Sequence, residues 1–260
     1  ITVIAAAPTG PQAIDSGKWF HQTRLPNGNS WYNNEIQHYT NRMQNSYISD
    51  GTLKIVAIKE SFTDQNRTKQ FTSARLNSKY AFTYGRVDVK AKLPQGFGTW
   101  PAIWMLGKNI NENGGYWQTQ GFGTTYWPAT GEIDIMEFRG DISDRATHAL
   151  HGPTTPKGSG LGAAFLSYEP LSNGFHTYAI EWKKDRIDFI VDGRVNGTFT
   201  VADTGRRGWV YNQEFFLILN LAMGGTYAGE YIDPTLNQAE LKVDYIRFYS
   251  VNGIGSVIKK

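Results

Sequence analysis

Cysteine is absent from this 260-residue chain, so no disulfide can hold the fold together. No run of 18 consecutive apolar residues occurs, which argues against a membrane partner. The charges nearly balance, because 26 lysines and arginines against 23 acidic residues leave a net charge of +3. With no basic run or stripe, the sequence does not favour a nucleic-acid partner.

The chain also lacks any long stretch of helical periodicity and any internal repeat. Short alternating segments separated by Gly-rich turns take their place, and this pattern predicts an all-β sandwich. A chain of this length buries about three quarters of its unfolded surface, enough for one core. We therefore expect a single domain over residues 18–250, a tail or linker over 1–17 and a C-terminal tail over 251–260.

Two segments illustrate the kinds of strand expected in such a sandwich. Residues 85–93 alternate between apolar and charged side chains, which is typical of an antiparallel strand with one wet face. Residues 215–221 are nearly all apolar, which predicts a strand buried on both faces.

Three carboxylates, Glu132, Asp134 and Glu137, lie within one predicted strand. Side chains on a strand alternate between faces, so Glu137, five positions after Glu132, would point away from the other two. A β-bulge at Ile135-Met136 would add one residue and return Glu137 to the acidic face. The two glutamates would then lie roughly 13 Å apart at Cα. Their carboxyls, leaning together, could approach to about 5 Å, the separation found in retaining glycosidases.

Three acids so close together more often form a solvated strand face, but aromatic residues surround this segment. The nearby tryptophans are Trp100, Trp104, Trp117 and Trp127. Indole rings stack on the apolar faces of sugars, and carboxylates bind sugar hydroxyls. The combination favours a carbohydrate site, whereas Trp182 and Trp209 are expected in the core.

The segment Gly131 to Glu137, together with Gly98 to Leu106 and Trp127-Pro128, resembles the laminarinase branch of family-16 glycoside hydrolases. The longer, bulged form of the two-glutamate motif and the Trp-Pro-x-x-Trp block carry the resemblance, and further similar segments extend from about Trp19 to Tyr249. The resemblance implies a curved jelly-roll β-sandwich of the concanavalin (lectin-like) type with a concave substrate cleft.

The resemblance also implies an activity, namely hydrolysis of β-1,3-linked glucan with retention through a covalent glycosyl-enzyme. Glu132 would be the nucleophile and Glu137 the acid/base, with Asp134 between them positioning Glu132 and sharing its proton. His151 would lie near Glu137. Successive glucose rings would stack on three tryptophans, Trp100, Trp104 and Trp127.

Three polar residues are further candidates for substrate binding through the same resemblance. Asn34 would reach a sugar on the non-reducing side, although an Asn-Asn pair also simply makes turns. Arg75 would hydrogen-bond substrate near the cleavage point. Asn220 either reaches the cleft or satisfies a buried loop backbone.

No cofactor is expected for catalysis, but related enzymes often hold a structural calcium ion on the convex face. Gly51 and Asp244 fit two of the three ligand positions, whereas the N-terminal acidic strand of the family is missing here. Because a β-glucan polymer must be met outside the cell, we expect a secreted bacterial protein, a monomer whose signal peptide has been removed. The N-terminus itself has no basic segment of the signal-peptide type.

Two alternative functions remain open at this point. One is a mixed-linkage β-1,3-1,4-glucanase, although dedicated lichenases carry the shorter motif without the extra residue. The other is a non-catalytic, lectin-like glucan-binding module, since one fold serves both roles. The presence of both Glu132 and Glu137 favours an enzyme.

Overall fold

Seventeen strands and four helical segments of a single turn make up the regular structure of residues 10–157 and 160–260, which the computed structural model describes. The strands are β1 (Trp19–His21), β2 (Gln37–Tyr39), β3 (Ser46–Ser49), β4 (Thr52–Asp64), β5 (Arg67–Ser73), β6 (Arg75–Thr83), β7 (Gly85–Lys92), β8 (Thr99–Gly107), β9 (Glu132–Phe138), β10 (Arg145–His151), β11 (Leu161–Leu166), β12 (His176–Lys183), β13 (Arg186–Val191), β14 (Arg194–Thr200), β15 (Phe215–Met223), β16 (Gln238–Tyr249) and β17 (Ser256–Lys259). The helical segments are a 3-10 turn (Tyr32–Asn34), α1 (Tyr116–Thr119), α2 (Val201–Thr204) and α3 (Gly225–Ala228).

The strands form two sheets that pack as a jelly-roll sandwich, which confirms the predicted fold. The first sheet has the order β1-β6-β15-β8-β9-β10-β11, with β17 also paired to β6. The second has the order β14-β13-β12-β7-β16-β4-β5-β2, with β3 also paired to β4. Most neighbours are distant in sequence, so the chain crosses repeatedly between the sheets. No helix in the described ranges is long and apolar enough to cross a membrane.

The core fills the space between the two sheets. Ile103 and Ile133 of the first sheet belong to one apolar cluster with Val89, Ile180 and Phe189 of the second, all fully buried. Burying a side chain of this size contributes roughly 1.5–3 kcal/mol.

Every residue of β15 is buried, as predicted. On the face that points away from the core, the loop around α1 covers Phe216 and Ile218, and Trp100 and Ala228 pack against Ala222.

Both predicted tails need correction where the structure describes them. Ile14 is buried in the main core, and Gln12 pairs with Ile48. Residues 1–9 of the predicted N-terminal tail lie outside the described residues. The last residues form β17, which pairs with β6 from Ser256 opposite Thr83 onwards. Four residues are too few for a clear alternating pattern, which is why the sequence did not reveal this strand.

Candidate active site

Strand β9 contains the predicted bulge. The register with β8 skips Ile135, and in the register with β10 the two residues Ile135 and Met136 stand opposite the single residue His148. Ile135 and the next residue, Met136, are both fully buried in the core. The extra residue therefore returns Glu137 to the face that carries Glu132 and Asp134. We call this side of the first sheet, opposite the core, the open face.

The pKa of each of the three carboxyls on the open face is raised above its ordinary value. Burial is the first cause and raises the pKa of each of them. For Glu132 the charges of Asp134 and Glu137 raise the pKa further, and for Asp134 the charge of Glu137 does the same. Like charges in a poorly solvated cluster are costly to ionise together, so the group keeps a proton to higher pH than isolated carboxyls would.

Each glutamate accepts a hydrogen bond from a tryptophan. Trp127 Nε1 donates to Glu132 Oε2 at 3.1 Å, and Trp100 Nε1 donates to Glu137 Oε1 at 3.1 Å. Trp127 is 45% exposed, so its ring is accessible to a sugar, and its stacking stays a prediction. Trp100 is only 8% exposed and packs against Tyr227 at 5.1 Å between ring centroids. Trp100 thus orients Glu137 from a buried position, and its stacking on a sugar ring stays a prediction.

His151 lies at the nucleophile end of the site. It pairs with Glu132 in the register of β10 and β9, and its Nε2 is 3.6 Å from Glu132 Oε1. The same nitrogen is 3.1 Å from Asp134 Oδ2, which has no aligned hydrogen-bond donor. Burial raises the pKa of Glu137 and a charge on His151 acts to lower it, so His151 also lies within electrostatic reach of Glu137, and its predicted role there stays a prediction. Because β10 runs antiparallel to β9, its last residue meets the first residue of β9.

A series of side-chain hydrogen bonds fixes the position of the Trp104 indole. Trp104 Nε1 donates to Asn220 Oδ1 at 2.7 Å, and Asn220 Nδ2 donates to the Tyr39 hydroxyl at 3.1 Å. Tyr39 in turn donates to Glu35 at 2.9 Å. Asn220 is buried and bonded at both ends of its amide, so it supports Trp104 rather than reaching into the cleft. Trp104 itself is half-buried.

Arg75 is buried and bonded within the protein, and the substrate contact predicted for it stays a prediction. Its Nη2 donates to both carboxylate oxygens of Glu112 at 3.0 and 2.9 Å, and its Nε donates to Gln22 at 3.0 Å. The guanidinium carbon lies 4.8 Å from the ring centre of Trp104 and 5.2 Å from that of Trp31. Arg75 thus ties the loop between β8 and β9 to β6 and packs against Trp104.

Asn34 is exposed at the end of the 3-10 turn, with a left-handed φ of 58° that asparagine tolerates well. The next residue, Glu35, pairs with Gly224 just before α3. Since Tyr227 of α3 packs against Trp100, this turn lies at the rim of the open face. Its contact with a sugar stays a prediction.

The residues predicted to bind calcium do not form a calcium site by themselves. The carboxylate of Asp244 pairs with Lys90 Nζ at 2.9 Å, and Gly51 lies nearby in the turn before β4. Calcium takes six to eight oxygen ligands. Within residues 10–157 and 160–260, only Glu132, Asp134 and His151 form a group of three potential metal-ligating side chains. That group belongs to the carboxylate cluster of the open face.

Sequence reasoning missed three residues that shape the site, namely Glu35, Glu112 and Tyr227. Glu35 follows Asn34 directly, so the available sequence signal was an acidic residue next to the Asn-Asn turn; the structure shows that this residue is buried. Tyr227 follows Gly224-Gly225 at the end of the apolar β15 segment, where an aromatic residue can fold back over the sheet. No feature of the sequence next to Glu112 indicates that it pairs with Arg75.

Comparison with known proteins agrees with this geometry. The profile described as Glycosyl hydrolases family 16 matches residues 32–247. Glucan endo-1,3-beta-glucosidase A1 of Niallia circulans is 35% identical over 256 residues, covering 91% of this chain, which spans only 36% of that protein's length. The Beta-glucanase of Rhodothermus marinus is 36% identical over 250 residues, covering 90% of this chain and 80% of the relative. The structure of a LamA variant from Z. galactanivorans in complex with laminaritriose and laminaritetraose has a TM-score of 0.83 and 41% identity, covering 93% of this chain and 95% of that one.

Proposed function

Because this chain belongs to family 16 of the glycosyl hydrolases, we propose that it is a retaining endo-β-1,3-glucanase of the laminarinase type. The bulge in β9 is the observation that carries this proposal, because it places Glu132, Asp134 and Glu137 on one face beside the exposed ring of Trp127. The glucan activity of the Niallia circulans relative and the laminari-oligosaccharides bound by LamA support β-1,3-glucan as the substrate.

In this proposal Glu132 attacks the anomeric carbon and forms the glycosyl-enzyme, while Glu137 protonates the leaving oxygen. Burial raises the pKa of Glu137, which helps it to hold the proton that it must deliver. When Glu132 becomes an ester, its negative charge is gone and the proton affinity of Glu137 falls. Glu137 can then take a proton from the water that releases the sugar from Glu132.

Asp134 acts between the two glutamates. Burial and the charge of Glu137 raise its pKa well above the usual value, so its carboxyl holds a proton that it can share with Glu132. The indole N–H groups of Trp127 and Trp100 fix the orientation of the two catalytic carboxyls. Trp127 and Trp104 provide the stacking surfaces for glucose rings.

The test compares the wild type with Glu132→Gln and Glu137→Gln on laminarin and on barley mixed-linkage glucan. We expect laminarin to be the better substrate, and each variant to lose hydrolysis while still binding laminarin. Preference for the barley glucan would make the protein a mixed-linkage enzyme with the same residues. Binding of laminarin without hydrolysis by the wild type would make it a lectin-like module.

Three further expectations belong to the same proposal. A β-glucan polymer is met outside the cell, which supports secretion of the enzyme from a bacterial cell. A single sandwich that carries its own cleft supports action as a monomer. Size-exclusion chromatography with light scattering tests the monomer. A calcium ion held by Gly51 and Asp244 would compete with Lys90 for the carboxylate of Asp244. If a chelator leaves the melting temperature unchanged, that ion has no structural role.

A further inference from the structure

His148 occupies the core side of β10, directly behind the bulge that shapes the site. The register of β10 with β9 skips His148 on one strand and Ile135 and Met136 on the other, so His148 stands opposite these two residues at the irregularity. The distance from His148 Nδ1 to the carbonyl oxygen of Ile135 is 2.6 Å. The imidazole is 1% exposed and stacks on Phe189 of the second sheet, with ring centroids 5.1 Å apart.

The protonation state of this imidazole follows from its surroundings. A carbonyl oxygen only accepts, so Nδ1 carries the proton and donates it to Ile135. Nε2 has no hydrogen-bond partner. Burial lowers the pKa of His148 to about 4, so the ring is neutral at the pH where an enzyme of this kind works. The neutral ring therefore has one hydrogen-bond donor, the Nδ1–H group, and donates it to the Ile135 carbonyl.

The bulge needs such a donor. Ile135 is the extra residue in β9 and stands outside the regular register with both neighbours, and its carbonyl accepts from the His148 side chain. A buried carbonyl left without a donor is costly. Without the bulge, Ile135 would return to the ladder and every later side chain of β9 would change face, which would turn Glu137 towards the core. The bulged form therefore competes with a regular strand that has no active site.

We propose that His148 is a positioning residue whose Nδ1–H, donated to the carbonyl of Ile135, holds the bulge and thereby sets the relative placement of Glu132 and Glu137. The hydrogen bond and the stacked ring are separate contributions. The first acts on the geometry of the site, whereas the second contributes only to core packing. This inference rests on the proposed function, because it assigns His148 to the same carboxylates.

Two variants separate the hydrogen bond from the packing. His148→Phe keeps the stacked ring but has no donor, whereas His148→Asn loses the ring but places an amide N–H near the position of Nδ1. We expect His148→Phe to fold and to lose up to about a hundredfold in kcat, since displacement of catalytic groups by about 1 Å has effects of this size. KM should change little, because the stacking residues stay in place. His148→Asn should keep most of the wild-type kcat even with a lower melting temperature.

The pH profile of kcat/KM provides a second readout. Displacement of Glu137 relative to Glu132 changes their mutual repulsion, so both limbs of the profile should move in His148→Phe and stay in place in His148→Asn. Wild-type kcat and an unchanged profile in His148→Phe, with the larger loss in His148→Asn, would reduce His148 to a packing residue. If His148→Phe does not fold, His148→Leu replaces it in the same comparison.

A measurement without substrate keeps this test independent of the proposed activity. Carbon-13 NMR titration of the glutamate side-chain carboxyls should show altered apparent pKa values for Glu132 and Glu137 in His148→Phe relative to the wild type. Identical titration curves in the two folded proteins would overturn the positioning role. Failure of the proposed function, in contrast, would appear as a wild type that does not cleave glucan whatever the NMR titration shows.

Discussion

Removing the carboxylate of Glu112 should leave a buried cation without its counter-ion. The side chains of Arg75 and Glu112 are only 4% and 5% exposed, and their closest atoms are 2.9 Å apart. Breaking a buried ion pair by removing one partner costs about 3–5 kcal/mol, because the remaining charge has lost its compensation. Gln22 would also lose the acceptor of its amide, which now donates to Glu112 at 2.9 Å. We therefore expect Glu112→Ala to lower the free energy of unfolding by about 3–5 kcal/mol.

Denaturant titration of wild type and variant measures this effect, and thermal unfolding should show a fall of the melting temperature on the order of 10 °C. The matched control is Glu181→Ala, which removes one partner of a partly exposed pair with Lys183 at 2.8 Å. Exposed pairs contribute about 0–1 kcal/mol. The double replacement Arg75→Met with Glu112→Leu should recover much of the loss, since it leaves no unpaired charge.

Glu112→Ala should also affect the substrate site, through Trp104. The guanidinium of Arg75 packs 4.8 Å from the Trp104 ring, so an Arg75 that turns towards water takes away support for that ring. KM should rise more than kcat falls, because Trp104 is expected to bind sugar rather than to react. A loss of stability no larger than that of Glu181→Ala, with unchanged KM, would refute the reasoning.

Three further predictions concern the open face and the core behind it. Glu137→Gln should lower kcat on laminarin by about 10²–10⁴-fold, the usual contribution of a general acid, and a pH–rate profile that keeps its basic limb would contradict this role. Trp127→Ala should raise KM by about 2- to 13-fold through lost stacking, worth roughly 0.5–1.5 kcal/mol, and should lower kcat through the lost hydrogen bond to Glu132. Isothermal titration with a laminari-oligosaccharide would detect the weaker binding, and unchanged affinity would count against it. The unfolded chain protonates His148 below a pKa of about 6.5, whereas the folded protein does so only at about 4, so the free energy of unfolding should fall by about 3 kcal/mol as the pH drops from 6.5 to 4. Urea titrations across that range should give a steeper pH dependence for the wild type than for His148→Phe, and equal slopes would argue against a neutral His148.

The sequence was most informative where structure is decided locally. The parity of the spacing between Glu132 and Glu137, with apolar residues between them, was enough to predict the bulge that the registers of β9 show. In the same way, the continuous apolar run of β15 predicted a strand buried on both faces. Period-two alternation and motif spacing extend over a few residues, and such features need no knowledge of distant partners.

The roles of the supporting residues depended on partners far away in the sequence. Arg75 is buried because Glu112, 37 positions later, folds over it, and Asn220 is bonded to Tyr39 across 181 positions. Nothing near Arg75 or Asn220 indicates these contacts. The contacts of His151 with Glu132 and Asp134 could not be predicted for a related reason, since they follow from the antiparallel pairing of β10 with β9.

The most direct test of the central claim follows the anomeric signals by proton NMR while the protein acts on laminarin. Our account predicts that short β-1,3-linked oligosaccharides appear first as the β-anomer and then mutarotate, because two displacements, at Glu132 and then by water, restore the starting configuration. First release of the α-anomer would mean a single displacement by water. It would contradict the assignment of Glu132 as the nucleophile and of this site as a retaining one.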